Sequence, residues 1–136
     1  MVLTTGRRTI TEPEIIEFAT RYDPQWFHTD PSRAAASRWQ GLIASGWHTC
    51  SIAMQLLVQY VLADSESIGS SGLEHVRWPN PLRPGDEVAL RVEVLDTRMS
   101  SSGKMGIVRW RWILMTVVGV QVLDLIGTSL FALAQC

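Results

Sequence analysis

The feature that most constrains this chain is the stretch from Gly46 to Ala63, which is apolar on nearly every helical face: Trp47, Ile52, Met54, Leu56, Leu57, Val58, Tyr60, Val61 and Leu62. A helix without a polar face is a buried helix. The C-terminal half of the chain can wrap it. Val88, Leu90, Val92 and Val94 alternate with Ala89, Arg91, Glu93 and Leu95, and Val108, Trp110, Trp112 and Leu114 alternate with Arg109, Arg111, Ile113 and Met115. A third run extends from Val120 to Ala134, and Leu73 to Trp78 reads as a shorter strand after a Ser/Gly-rich loop, Ser65 to Gly72. Period-two runs joined by turns predict an antiparallel meander. The expected fold is therefore α+β, with a curled antiparallel sheet around one long central helix.

The N-terminal part reads as helix and loop. Thr11-Glu12-Pro13-Glu14 is a capping box with Pro in the first turn, and Ile15, Phe18, Ala19 and Tyr22 succeed it at helical spacing. Pro24 ends that helix at Asp23. The stretch from Pro24 to Asp30 is expected to be irregular, and Asp30-Pro31 to cap a short helix running through Ser37. With 136 residues and no linker or repeat, one domain is expected over residues 1–136. The content of 46% apolar and 18% charged residues, with six Trp, fits either a generous core or a surface covered by another subunit.

Other readings have little support. A net charge of −1 with no basic run gives no footprint for nucleic acid. Ile52 to Ala63 is interrupted by Gln55 and Gln59 and is too short for a membrane span. Met1 to Arg8 lacks the apolar core of a signal peptide. Cys50 and Cys136 form no disulfide framework, so a cytoplasmic protein is expected. No Cys/His cluster has metal-ligand spacing, and neither metal nor cofactor is expected. His48 reads as a hydrogen-bonded core or interface residue, His75 as a surface residue, and Trp110-Arg111-Trp112 as strand packing.

Chemistry points to Tyr22-Asp23-Pro24-Gln25-Trp26-Phe27-His28. Asp23 and His28 bring a carboxylate and an imidazole to one turn, where they can share acid and base work on one water. Apolar neighbours would raise the Asp23 pKa. Asp23 before Pro24 also fits a plain helix terminus, and His28 a buried polar side chain; the segment alone leaves these readings open. Gly41-Leu42-Ile43-Ala44-Ser45-Gly46-Trp47 then opens the central helix. Ser45 can cap it, and the free amides near Gly46 carry the positive helix end, suited to a thioester oxygen as charge develops. An ordinary capped helix start fits the same residues.

The two segments together resemble the MaoC-like dehydratase family, which includes the (R)-specific enoyl-CoA hydratases. The family signature is Asp-x-Asn-Pro-x-His followed by Ala-x-Gly. The resemblance continues through Val76-Arg77-Trp78-Pro79-Asn80-Pro81-Leu82-Arg83-Pro84-Gly85-Asp86. It implies a hot-dog fold and at least a homodimer, with the acyl tunnel near the interface. It also implies reversible hydration of a trans-2-enoyl thioester, carried on CoA or on an acyl carrier. Asp23 and His28 match the catalytic pair, and Gly46 matches the glycine whose amide holds the thioester oxygen. Ser45 stands where the family often has His. Gln25 replaces Asn and Trp26 replaces Pro; with Tyr22 and Phe27 they are expected to shape the pocket, Trp26 narrowing it. An acyl-CoA thioesterase and a non-catalytic acyl-CoA-binding protein are the competing functions. The central helix holds no Asp or Glu before Asp64, which disfavours the thioesterase. The apolar turn Val117-Val118-Gly119-Val120 is expected to be buried between subunits.

Overall fold

The computed structural model describes residues 1–133, so Ala134 and Cys136 lie outside the described residues. Two short strands, β1 (Val2–Thr4) and β2 (Arg8–Thr9), precede three helices: α1 (Glu12–Tyr22), α2 (Trp26–Thr29) and α3 (Pro31–Ala35). Helix α4 (Gly46–Leu57) continues as a π-helical turn, Val58–Leu62. Four long strands complete the chain: β3 (Ser67–Arg77), β4 (Glu87–Met99), β5 (Met105–Thr116) and β6 (Gln121–Ala132). All pairings are antiparallel, in the order β1-β4-β5-β6-β3, with β2 also on β4.

The alternation does what period two requires. Trp112 lies opposite Val92 on β4 and Leu125 on β6, and all three are buried against α4. Ile52, Ala53, Leu56 and Leu57 supply the helix side of that core. Trp110 is buried as well and donates its indole N–H to Ser129 Oγ at 3.1 Å. A curled antiparallel sheet around a central helix is the hot-dog arrangement.

Several local expectations change. The Ser/Gly-rich stretch is strand, not loop, because β6 pairs with it from Ser67 onward. Its irregularity is absorbed at Gly69 and Gly72, which have positive φ and lie at register shifts of the ladder. The stretch after Pro24 contains one helical turn, closed by the Asp30 N–H on the Trp26 carbonyl at 2.8 Å. The short helix after Asp30 stops at Ala35 rather than Ser37. Helix α4 and its π-helical turn are not buried all round: Trp47 and Met54 on the helix and Val58 and Tyr60 on the turn are exposed, since one chain's sheet covers only one side of them. The strands β1 and β2 carry too few residues to show a period. The apolar turn is exposed in the isolated chain, Val118 at 82%.

Both N-terminal caps form. Thr11 and Glu14 exchange reciprocal bonds at the start of α1, and Asp30 accepts the Arg33 N–H at 3.1 Å.

Candidate active site

Asp23 ends α1 with its own N–H on the Ala19 carbonyl at 2.8 Å. Its φ of −154° and ψ of 69° lie outside the helical region that Pro24 forbids it. The chain doubles back at once, with the Gln25 N–H on the Asp23 carbonyl at 2.8 Å. Helix α2 then carries Phe27 and His28 beneath the Leu42–Ser45 loop. The Ile43 N–H donates to the Phe27 carbonyl at 3.2 Å, and the Ala44 N–H to the Leu82 carbonyl at 2.8 Å. Leu42, Ile43, Ala44 and Ser45 are buried, so this loop is a fixed wall.

The side chains converge on one carboxylate. Ser45 Oγ donates to Asp23 Oδ2 at 2.7 Å, and Gln25 Nε2 to Asp23 Oδ1 at 2.7 Å. His28 Nε2 stands 3.2 Å from Asp23 Oδ2. His28 is 5% exposed. Its Nδ1 is 2.7 Å from the Ile43 carbonyl, which can only accept, so Nδ1 carries the proton. In the neutral ring Nε2 is then the bare nitrogen, facing Asp23.

Burial pushes the Asp23 pKa up, as apolar surroundings suggest, but the Ser45 and Gln25 hydrogen bonds, with His28 when its ring is the imidazolium, outweigh it. The carboxyl is held below its ordinary value, not above it as expected from the sequence. The reason is that the donors are local and polar while Asp23 keeps partial access to water.

Ser45 occupies the N-cap position of α4, yet its hydroxyl makes no cap. That hydroxyl is spent on Asp23 instead. The Thr49 N–H is the first to bond back, to the Ser45 carbonyl at 3.0 Å, so the amides of Gly46, Trp47 and His48 precede the helix's own bonding. The Trp78 ring packs on the bare Cα of Gly46 and donates Nε1–H to its carbonyl at 3.0 Å.

Asp23, His28 and Gly46 line a common cleft of about 450 Å³ with the aromatic walls Phe27, Trp39, Trp47 and Trp78. Three expected pocket residues do not line it. Tyr22 points to solvent at 69% exposure. Gln25 is used behind the carboxylate. Trp26 packs edge-on to Phe27 at 5.3 Å and lies under Arg33, so it backs the wall and does not narrow the cleft. Of that group only Phe27 faces the cavity. Trp39, Thr49 and Asn80 also line it; Trp78 and Asn80 stand in the Val76–Asp86 motif, but nothing in their spacing signals a role in the cleft.

The remaining histidines also differ from expectation. His48 is buried and stacked on Phe18 at 4.6 Å, but its Nδ1 has no hydrogen-bond partner among the described residues and its Nε2 is 3.8 Å from Glu14. His75 is partly buried, with Nε2 3.3 Å from Asp124 Oδ1.

Comparison with known proteins agrees with this arrangement. The family model described as MaoC like domain matches residues 1–112. The chain belongs to the MaoC-like domain family. The crystal structure of the MaoC-like dehydratase from Rhodospirillum rubrum is 34% identical and superposes with a TM-score of 0.89, covering 100% of this chain and 93% of that one. A Bacillus subtilis protein, YdeM, is 33% identical over 87 residues, 64% of this chain and 62% of that protein. The 3-hydroxyacyl-thioester dehydratase Z of Mycobacterium tuberculosis is 38% identical over 82 residues, 59% of this chain and 54% of that protein. The matches thus span between half and two thirds of these curated relatives. No helix among the described residues is long and apolar enough to cross a membrane.

Proposed function

We propose that this chain is a hydro-lyase that reversibly adds water to a trans-2-enoyl thioester, giving a 3-hydroxyacyl thioester. The single observation that carries the reading is the His28 Nε2 to Asp23 Oδ2 contact of 3.2 Å in a cleft also lined by Gly46. The substrate class comes from dehydratase relatives such as dehydratase Z.

The tautomer supports a division of labour. Nδ1–H is committed to the Ile43 carbonyl, so Nε2 is the ring's exchanging nitrogen. Asp23, kept ionised by Ser45 and Gln25, orients the attacking water and stabilises the imidazolium that forms. Water oxygen bonds to C3 as its proton passes to Nε2. The C2–C3 π electrons move toward the thioester carbonyl, whose oxygen takes the Gly46 N–H at the positive end of α4. Nε2–H then protonates C2 and the ring is neutral again. Dehydration is the same path reversed.

Incubation with crotonyl-CoA, monitored by loss of enoyl absorbance, tests this. His28→Gln and Asp23→Asn each lower kcat by about 10²–10⁴-fold, the usual worth of a positioned acid–base group. Turnover undiminished in both variants excludes the assigned roles. The exposed apolar face of α4 and the open edge of β3 support a homodimer, with the cleft beside the interface.

A further inference from the structure

Helix α1 ends at Asp23 and helix α4 opens at Ser45, and side chains tie α1 to both ends of the first turn of α4. At Ser45 the tie is the hydroxyl's bond to Asp23 Oδ2 at 2.7 Å. Three residues on, the tie is His48, which is 6% exposed and takes no part in the proton transfers described above. Its ring stacks on Phe18 of α1, with centroids 4.6 Å apart and planes 8° from parallel. Its Nε2 faces Glu14 Oε1 at 3.8 Å. Glu14 is itself fixed: Oε2 accepts the Thr11 N–H and hydroxyl, both at 3.0 Å, and Oε1 pairs with Arg8 Nη2 at 2.7 Å.

Glu14, Phe18 and Tyr22 recur at four-residue spacing on one face of α1, and the Phe18 and Tyr22 rings lie 5.0 Å apart. That row ends beside Asp23. On α4, Ser45 and His48 share a face because three residues separate them, and Gly46 lies between them in the chain. Trp78 also holds Gly46, but it refers that residue to the end of β3 and not to α1. Neither His48 nor Phe18 lines the cleft, so whatever they do for the reaction they do through the helices.

We infer that His48, through its stack on Phe18, is a positioning residue: it sets the height of the first turn of α4 along α1, and with it the distance from the Gly46 amide to the Asp23–His28 pair. The inference rests on the reading of those groups as the hydration site. A misplacement of about 1 Å at a reacting centre costs about 10²-fold in rate. Loss of the stack leaves the Ser45 bond in place, so a smaller shift and a smaller loss are expected.

Phe18→Leu tests this from the α1 side, at a half-buried position that keeps a large apolar side chain. Its kcat on crotonyl-CoA falls about tenfold while KM stays within about twofold, because the cleft lining is untouched. Phe18→Tyr keeps the ring and rescues kcat. His48→Ala falls like Phe18→Leu, and the double variant falls no further, since both remove one stack. Undiminished kcat in Phe18→Leu, a rise in KM with kcat kept, an equal loss in Phe18→Tyr, or losses that multiply in the double variant overturns the inference. Hydrogen exchange reads the same joint without turnover. The Thr49 N–H makes the first bond of α4, to the Ser45 carbonyl at 3.0 Å. It exchanges about tenfold faster in Phe18→Leu while the amides of β5 keep their wild-type rates. Unchanged Thr49 exchange overturns the inference, and so does an equal rise along β5, which marks a general loss of stability. Selectively faster Thr49 exchange, in a protein whose wild type hydrates no enoyl thioester, leaves the α1–α4 joint standing and removes the hydratase reading.

Discussion

Trp78 holds Gly46 from two directions: its Cε2 lies 2.5 Å from where a Cβ would stand, and its indole N–H bonds the Gly46 carbonyl at 3.0 Å. Even one methyl group at position 46 must push the ring away. The same ring lines the cleft, and the same residue offers the amide proposed to hold the thioester oxygen. Gly46→Ala keeps the amide but displaces it and the ring, and is therefore expected to lower kcat/KM for crotonyl-CoA by about 10²-fold, the scale of a misplaced group at a reacting centre. Overpacking adds about 1–3 kcal/mol of instability, read from urea midpoints. A fully active Gly46→Ala would show that Trp78 yields freely and that its position is irrelevant to the reaction.

Ser45 acts on Asp23 and not on the helix. Removing its hydroxyl takes away one of the donors that depress the Asp23 pKa, so in Ser45→Ala that pKa rises. Activity that needs the Asp23 carboxylate then fails at a higher pH on the acid side. The pH profile of kcat/KM checks this: the acid limb moves upward in Ser45→Ala and returns toward its original place in Ser45→Thr, which keeps a hydroxyl. A loss of rate with no movement of the limb would make Ser45 a packing residue.

The depressed Asp23 pKa also has a stability consequence. Its folded pKa lies below the ordinary value of 3.8, so it contributes stability that is present above about pH 3.8 and lost as pH falls through the folded value. His48 acts over a higher range. Burial pushes its pKa below 6.5, and Arg8 adds to that, against an opposing pull from Glu14. The unfolded chain thus binds the proton first, and stability declines as pH falls below about 6.5 until the folded value is passed. His48→Gln removes that dependence. Urea midpoints measured from about pH 7 to 5 are expected to fall less in His48→Gln than in the wild type. Parallel curves would mean that His48 titrates alike in both states.

The sequence made the core legible because burial there obeys strict periods. Val88, Leu90 and Val92 alternate into the core, and Trp110 and Trp112 are packed as the pattern required. The caps at Thr11 and Asp30 were legible because capping is local. What stayed hidden depends on partners distant in sequence. Ser67–Gly72 has poor strand composition and becomes strand only because β6 lies beside it. Within the site, the motif foreshadows the meeting of Asp23 and His28, but neither the turn of Ser45 from helix cap to Asp23 nor the direction of the Asp23 shift is legible. It is set by hydroxyl and amide donors whose aim no spacing reveals. Trp26 is illegible for a similar reason: its size suggests an obstruction, and only the fold places it behind Phe27 and beneath Arg33.

The exposed side of α4 carries the last prediction. Trp47, Ser51, Met54 and Val58 recur at helical spacing on one face, and all are exposed, Trp47 at 60%. Beside that face β3 pairs only with β6 among the described residues, leaving its other edge open. An apolar helical stripe next to an open strand edge is a poor surface for water and a good one for a second copy of the chain. A carboxylate in the middle of that stripe would have to be desolvated on pairing, at a cost of several kcal/mol. Met54→Glu is therefore expected to sediment as a monomer under conditions where the wild type is a dimer. Crotonyl-CoA activity should fall with it, since Trp47 belongs to both the stripe and the cleft. Val118→Glu, in the exposed turn between β5 and β6, serves as the contrast. If that variant dissociates the protein while Met54→Glu does not, the copies meet through the turn, and the exposed face of α4 needs another explanation.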